Sequence, residues 1–332
     1  MEPRSGRQAS TIRAALDGVA QAYRANKLGS PIHDARGRID AVLAAQLRGY
    51  SLDDPGTRQA QAIPAAVVAI VAAAGATETH RAIGQLVVGA FFFAMRSCEF
   101  SDVGGPRRTT TITLADVEFR KGGKKVESDD AAKLATADTV SITFRTQKNG
   151  EKGTTVTQHR TNGSAIGGVS LCPVTSLAEL VARVGHYDPL ESEWKDKGKR
   201  PINLIVTSGR ASTVTSGQIL HHLRAAALQY GEDRLGFPIS KIGTHSIRAG
   251  AATAMFLAGV PAETIQLIGR WRSQTFLRYI RIQVQQLTRG VATNMTTNPE
   301  FLTIGQEGTE GAKVAFQEEK KRDEGRKGRE FY

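Results

Sequence analysis

The sequence predicts a mainly α-helical protein that carries a small antiparallel β-sheet, an α+β arrangement. Over most of the 332 residues, apolar side chains recur at the helical spacing of three and four. In one central stretch the period falls to two and Thr, Val, Ile and Phe become frequent, which is typical of strands. At ~100–200 residues per domain the length indicates about two domains. We predict a short helical domain over 1–62, a larger domain over 63–296 and a charged flexible tail over 297–332.

The N-terminal domain is predicted to contain two short helices, Thr11–Ala25 and Ala35–Gly49. Both are rich in alanine with arginine interleaved. Gly29, Ser30 and Pro31 break the first helix, and Asp53–Gly56 has the composition of a turn. This domain is therefore expected to be helical and small.

The second domain is predicted to begin with helices. Pro64 suits the first turn of a helix that extends to about Ala74, and a longer helix is predicted over Thr77–Phe100. Arg96 and Glu99 lie three residues apart near its end, so both side chains would lie on the same side. Without further context, such a pair is an exposed ion pair that contributes well under ~1 kcal/mol.

The strands follow in the middle of the chain. The predicted strands are Thr111–Phe119, Thr139–Gln147 and Thr154–His159. Asn149-Gly150 between the last two is a strong signal for a hairpin turn, which places Lys148 near the tip of that hairpin. The polar segment Arg120–Lys133 is predicted to be a loop.

From Pro173 the chain is predicted to be helical again, with one short strand, Ile202–Thr207. Gly259 and Gly269 suit helix ends, and Pro261 suits a helix start. The predicted helices are Pro173–Val184, Ser216–Tyr230, Thr244–Ala258, Pro261–Ile268 and Thr275–Leu287.

The charge distribution favours a polyanionic partner. The net charge is +12, and residues 241–290 hold seven Lys and Arg against one acid, Glu263. Nucleic acid is the commonest partner of such a surface, although composition alone does not separate it from an anionic membrane. The basic residues that we predict to contact DNA are Lys152, Lys241, Arg270 and Arg272.

The sequence also indicates an intracellular protein. Cys98 and Cys172 lack metal-ligand spacing, so we interpret them as reduced core thiols. The N-terminus has no secretory signal pattern. The longest mostly apolar run, near Ala65–Ala74, is far shorter than the ~20 residues that a membrane span needs. There is no Gly-rich phosphate loop or nucleotide fingerprint, so a nucleotide-dependent metabolic enzyme is disfavoured.

The most specific pattern lies in the last third of the chain. His245 and Arg248 are three residues apart on one predicted helix, so both can face one site. An Arg offers a fixed fork for a phosphate, and a His offers a hydrogen bond or proton transfer. Gly269-Arg270-Trp271 and then Tyr279 follow. Each residue alone has an ordinary structural explanation, because Tyr279 also lies on an apolar helix stripe and Trp271 also suits packing.

Together these residues resemble a known family. The segment from Thr244 to Arg281 resembles the C-terminal catalytic box of tyrosine recombinases and phage-type integrases, especially versions from eukaryotic mobile elements. Arg96-Ser97-Cys98-Glu99 resembles the first box of that family, and Lys148 resembles its hairpin lysine. The resemblance covers about Pro64 to Gly290, and the N-terminal domain is similar only in being a helical DNA-clamping domain.

Two features depart from the family pattern. Typical members place a His or Trp nine residues before the nucleophile. In this sequence Trp271 lies eight residues before Tyr279, and Arg270 lies nine residues before it. Either residue could therefore fill that position, and we favour Trp271. The N-terminal domain holds fewer helices than usual, which leaves open a truncated copy.

The resemblance implies a mechanism that needs no metal, no cofactor and no ATP. Tyr279 would attack the scissile phosphate, forming a 3′-phosphotyrosine and releasing a 5′-hydroxyl. The implied partners are Arg96 and Arg248 as the phosphate clamp, His245 as proton acceptor, Lys148 as the acid for the leaving oxygen, Trp271 beside the phosphate and Glu99 as the orienting group. The chain shows no carboxylate or His/Cys cluster at metal-ligand spacing.

The implied partner is double-stranded DNA, held by a homotetramer on two duplexes, with no membrane and no small-molecule cofactor. The expected location is the nucleus in a eukaryotic host and otherwise the cytoplasm or nucleoid. Two alternatives remain open: a catalytically inactive DNA-binding relic of such an enzyme, and strand relaxation like that of a type IB topoisomerase.

Overall fold

A computed structural model describes residues 8–54, 61–104, 109–146, 152–163, 165–187, 194–273 and 276–280. The chain divides into two compact units, Met1–Gln59 and Ala60–Tyr332. The described residues are mainly helical with a small antiparallel sheet, so the predicted fold class is confirmed. None of the described helices has the length and apolar character that a membrane-spanning helix requires.

The described part of the first unit, 8–54, contains two helices, α1 (Ala9–Ala25) and α2 (Ala41–Asp53). Helix α2 begins later than the sequence predicts, because Asp34 stabilises a turn before the helix. The carboxylate of Asp34 accepts hydrogen bonds from the backbone amides of Arg36 and Arg38, both at 2.9 Å. Such local bonds compete with helix formation. Helix α2 then starts after Asp40, whose side chain caps its first turn.

The second unit combines helices with two antiparallel sheets. Its helices are α3 (Ala65–Ala73), α4 (Glu78–Phe92), α5 (Ser97–Phe100), α6 (Ala131–Leu134), α7 (Pro173–His186), α8 (Ser216–Tyr230), α9 (Glu232–Leu235), α10 (His245–Leu257), α11 (Ala262–Gly269) and α12 (Leu277–Ile280). Its strands are β1 (Val117–Lys121), β2 (Lys124–Lys125), β3 (Thr139–Phe144), β4 (Thr154–His159), β5 (Leu204–Thr207) and β6 (Arg210–Thr213).

The predicted helix Thr77–Phe100 is wrong beyond Phe92. Helix α4 ends at that residue, and the chain turns through Ala94, whose φ of 44° is in the left-handed region. The short helix α5 then begins after Arg96. Arg96 and Glu99 therefore lie on a separate turn of helix, whose direction is set by the turn and not by α4.

The four-stranded sheet has the order β2-β1-β3-β4, and all of its pairs are antiparallel. Val140, Ile142 and Phe144 of β3 are buried, as their alternation predicts. The predicted strand Thr111–Phe119 begins only at Val117, because a 3-10 turn over Leu114–Asp116 precedes it.

Three further predictions are corrected. The segment Arg120–Lys133, predicted to be a loop, contains β2 and the start of α6. The sequence does not predict strand β6, which pairs with β5. Cys172 is buried as predicted, but Cys98 is only half-buried, with its Sγ 2.9 Å from the Oγ1 of Thr109.

Helix α10 lies against the start of the second unit. The backbone amide of Ile63 donates to the carbonyl of Ser246 at 3.3 Å. A Cβ added at Gly250 would overlap the carbonyl oxygen of Ile63. Glycine at 250 is therefore required for this close approach of two backbones, which holds α10 and its functional side chains in place.

We expect Gly250→Ala to lower the free energy of unfolding by about 1–3 kcal/mol, since overpacking displaces backbone here. Gly185→Ala in α7 is the matched control, because its added Cβ would meet nothing within 4 Å. The control should be neutral or more stable by up to ~1 kcal/mol. Urea unfolding of both variants checks this, and equal stabilities would contradict the backbone contact.

Candidate active site

Glu99 lies at the centre of a cluster of arginines. Its side chain is 1% exposed. Oε1 accepts from Nη1 of Arg96 at 3.0 Å, and Oε2 accepts from the backbone amide of Arg96 at 2.8 Å. Oε2 also accepts from Nη2 of Arg270 at 2.8 Å. One carboxylate thus joins two arginines that are far apart in the sequence.

Arg270 follows the last residue of α11 and has a left-handed backbone, with φ of 55°. Its side chain is 1% exposed and lies over the ring of Phe144, 3.5 Å from the ring centroid. Nη1 donates to the carbonyls of Phe93 at 3.1 Å and Ile268 at 3.2 Å. The guanidinium of Arg270, which we predicted to contact DNA, is therefore turned into the protein.

Burial is the largest influence on the pKa of Arg270 and lowers it, Glu99 opposes burial, and the nearby Arg96 adds to the lowering; together they bring the pKa to about 10. Arg270 is still a cation at neutral pH. The lowered pKa shows that the protein interior disfavours this charge, even beside a carboxylate.

Arg248 lies one turn into α10 and is 3% exposed. Nη1 donates to the carbonyl of Ala94 at 2.5 Å, and Nη2 donates to the carbonyl of Gly269. These bonds connect α10 to the turn after α4 and to the end of α11. A guanidinium has several N–H donors in one plane, so the two carbonyls fix the orientation of that plane.

Trp271 is half-buried and stacks on Arg248, whose guanidinium carbon lies 4.4 Å from the ring centroid. Its ring also lies 5.7 Å from that of Phe276. The structure thus places Trp271 against Arg248, and Arg270 against Glu99. A Cβ at Gly269 would overlap the indole, so glycine is needed there.

The helix that carries Tyr279 packs near this cluster. Phe276 and Ile280 are buried and pack with Ala252 of α10 and Ile265 of α11. The backbone of Tyr279 lies in α12, and its side chain lies outside the described residues. The position of the phenol relative to the arginines therefore stays a prediction.

The other predicted residues lie on the surface or outside the described residues. His245 is exposed at the first position of α10, whereas Arg248 is buried. Lys148 lies outside the described residues. Lys152, Lys241 and Arg272 are exposed.

The arrangement suits an anion more than a metal ion. Arg96, Arg248 and Arg270 with Glu99 carry a net charge of +2. Of the three arginines, Arg96 is the most exposed, with 17% of its side chain accessible. Within the described part of the chain, no group of three or more His, Cys, Asp and Glu could hold a metal.

The sequence did not indicate the inward orientation of Arg270, nor the contacts of Gly269 and Phe144. A helix often ends at a left-handed residue, usually glycine. An arginine at that position is the one local sign that its side chain has a structural role.

No family model matches the sequence. No curated protein matches it either. Among solved structures, the chain is similar to the Tn1549 transposon integrase in complex with transposon right end DNA, at 11% identity and a TM-score of 0.47, covering 88% of this chain and 81% of that one. It is also similar to XerH site-specific recombinase bound to a palindromic difH substrate, at 14% identity and a TM-score of 0.48, covering 86% and 68%.

A third similar structure is a lambda integrase dimer bound to a COC′ core site, at 13% identity and a TM-score of 0.40, covering 92% of this chain and 85% of that one. All three are tyrosine recombinases, the family that the motifs of this sequence resemble. The likeness to versions from eukaryotic mobile elements stays a prediction.

We expect Gly269→Ala to displace the indole of Trp271 from Arg248, because the added Cβ would overlap the ring. In a Trp194→Phe background, Trp271 is the only tryptophan, since the chain has two. Its emission should shift to the red as the ring becomes exposed, and stability should fall by about 1–3 kcal/mol. Gly243→Ala is the control, with open space at its Cβ. An unchanged spectrum would contradict this packing.

Proposed function

We propose that the protein is a tyrosine recombinase that breaks and rejoins DNA through a 3′-phosphotyrosine bond at Tyr279. One observation carries the proposal. Arg96 and Arg248 are far apart in the sequence, yet both donate hydrogen bonds to the backbone at the end of α11, at Arg270 and Gly269 respectively. Trp271 stacks on Arg248 at the same place. The helix of Tyr279 packs beside this cluster.

The chemistry follows from the charge of a phosphodiester. Nucleophilic attack adds negative charge to the non-bridging oxygens, and positioned guanidiniums stabilise that charge. Arg96 and Arg248 would bind these oxygens, and Trp271 would pack beside them. A free tyrosine has a pKa near ~10, so the cationic site would also favour the phenolate of Tyr279 as it forms.

The proton transfers need groups outside the buried cluster. His245, exposed at the start of α10, would accept a proton or bind the phosphate. Lys148 would protonate the 5′ oxygen as it leaves. The phosphotyrosine keeps the energy of the broken bond, so rejoining needs no ATP.

Double-stranded DNA is the proposed partner. The exposed Lys152, Lys241 and Arg272 would contact backbone phosphates, and the first unit would clamp the duplex. We also propose a homotetramer on two duplexes and an intracellular location, in the nucleus of a eukaryotic host and otherwise in the cytoplasm or nucleoid. The charged tail predicted for 297–332 lies outside the described residues.

We expect Tyr279→Phe to abolish a covalent protein–DNA adduct. The substrate is a nicked duplex from which the 5′-hydroxyl strand diffuses away, so that the wild type is trapped as an adduct that survives denaturant. The substitution removes one hydroxyl, worth about 0.5–1.5 kcal/mol in net hydrogen bonding, so the variant should fold. An adduct formed by folded Tyr279→Phe would show another nucleophile. DNA binding by the wild type without any adduct would favour the inactive relic.

We also expect cleavage to survive an excess of EDTA, because guanidiniums and not a divalent ion would stabilise the transition state. The measurement is the rate of adduct formation with and without chelator. Loss of the adduct in EDTA and its return with magnesium would contradict the mechanism. Relaxation of a plasmid that lacks any target site would instead favour topoisomerase-like activity.

A further inference from the structure

We propose that Arg270 is a positioning residue that holds Arg96 through Glu99 and makes no contact with DNA. This inference rests on the proposed recombinase function and adds a residue to its machinery. It also replaces the expectation, from charge alone, that Arg270 binds a backbone phosphate.

A single carboxylate serves both arginines. Oε2 of Glu99 accepts from both the Arg96 amide and Nη2 of Arg270, each at 2.8 Å. Oε1 is then directed at Nη1 of Arg96. Because Arg270 binds one oxygen, it fixes the rotation of the carboxylate and hence the direction of the Arg96 guanidinium.

Arg270 also contacts separate segments of the second unit. Its guanidinium binds the carbonyl of Phe93 after α4 and lies over Phe144 at the end of β3. Its own carbonyl lies 3.5 Å from Nη2 of Arg96. The next residue, Trp271, stacks on Arg248. Arg270 therefore connects both arginines of the proposed phosphate clamp.

The environment of the Arg270 guanidinium is unfavourable. Among the described residues, its Nε has no hydrogen-bond acceptor. Buried ion pairs often contribute no more stability than apolar side chains of similar size. A role in stability alone therefore explains this arginine poorly, whereas a role in orienting Arg96 explains it well.

Arg270 and Arg272 differ in burial. The side chain of Arg270 is 1% exposed, while Arg272, two residues later, is exposed. The guanidinium of Arg270 already binds Glu99 and the carbonyl of Phe93, whereas Arg272 is open to a phosphate of DNA. The two arginines should therefore respond differently to the same substitution.

The test compares Arg270→Met with Arg272→Met, using the full chain and the nicked substrate. Arg270→Met should bind DNA with the wild-type salt dependence but form the adduct about 10²-fold more slowly, as expected for a misplaced group. For Arg272→Met, the plot of log affinity against log salt should be less steep by about 0.9, because one phosphate contact is lost. Arg234→Met, an exposed arginine outside the cluster, is the control and should match the wild type in both measurements.

A second comparison tests whether Arg270 acts through Glu99. Glu99→Gln combined with Arg270→Met should be no slower than the slower single variant, because both changes release the same group. Should Arg270→Met fail to fold by circular dichroism, Arg270→Lys, which keeps the charge, should fold and cleave at an intermediate rate.

Three results would overturn the proposal. Arg270→Met could show a shallower slope of log affinity against log salt than the wild type, or it could form the adduct at the wild-type rate. In the double variant, the fold reductions in the rate of adduct formation could multiply. If the wild type itself forms no adduct, the recombinase function fails. The salt slopes still decide, in that case, whether Arg270 touches DNA.

Discussion

The buried carboxylate of Glu99 is the interaction on which the rest of the site depends. It binds Arg96 and Arg270, which lie in distant parts of the sequence. Removing one partner of a buried ion pair typically lowers the free energy of unfolding by about 3–5 kcal/mol, because the other charge is left without a partner in the protein interior. The turn after α4, the end of α11 and the end of β3 all meet around this pair, so their relative positions depend on it.

The contacts around Arg248 preorganise the site. Two backbone carbonyls and the face of Trp271 hold this arginine, so its guanidinium plane is oriented before any ligand binds. Fixed donors stabilise developing charge more effectively than mobile ones, since they need not reorganise during the reaction. Gly250 and Gly269 also help to fix the site, because they allow the close contacts that hold α10 and the indole of Trp271 in place.

Much of the fold could be predicted from local pattern. Helix α8 and strand β4 have the predicted bounds, because their apolar periods are clear and turn residues flank them. The prediction failed where distant contacts or local caps override the pattern. The apolar run after Phe92 continues a helical period, yet the chain turns at Ala94, and the carbonyls of this turn bind Arg248 and Arg270.

The order and types of the candidate residues, the basic charge of 241–290 and the resemblance built on them could all be read from the amino-acid sequence. It could not determine which arginines face inward, because periodicity shows which residues share a face and not what covers that face. Long-range contacts settle this point, since they bury Arg270 and leave Arg272 exposed. The reason is physical: a left-handed residue after α11 redirects the chain, and a carboxylate from a distant helix supplies the partner that a buried guanidinium requires.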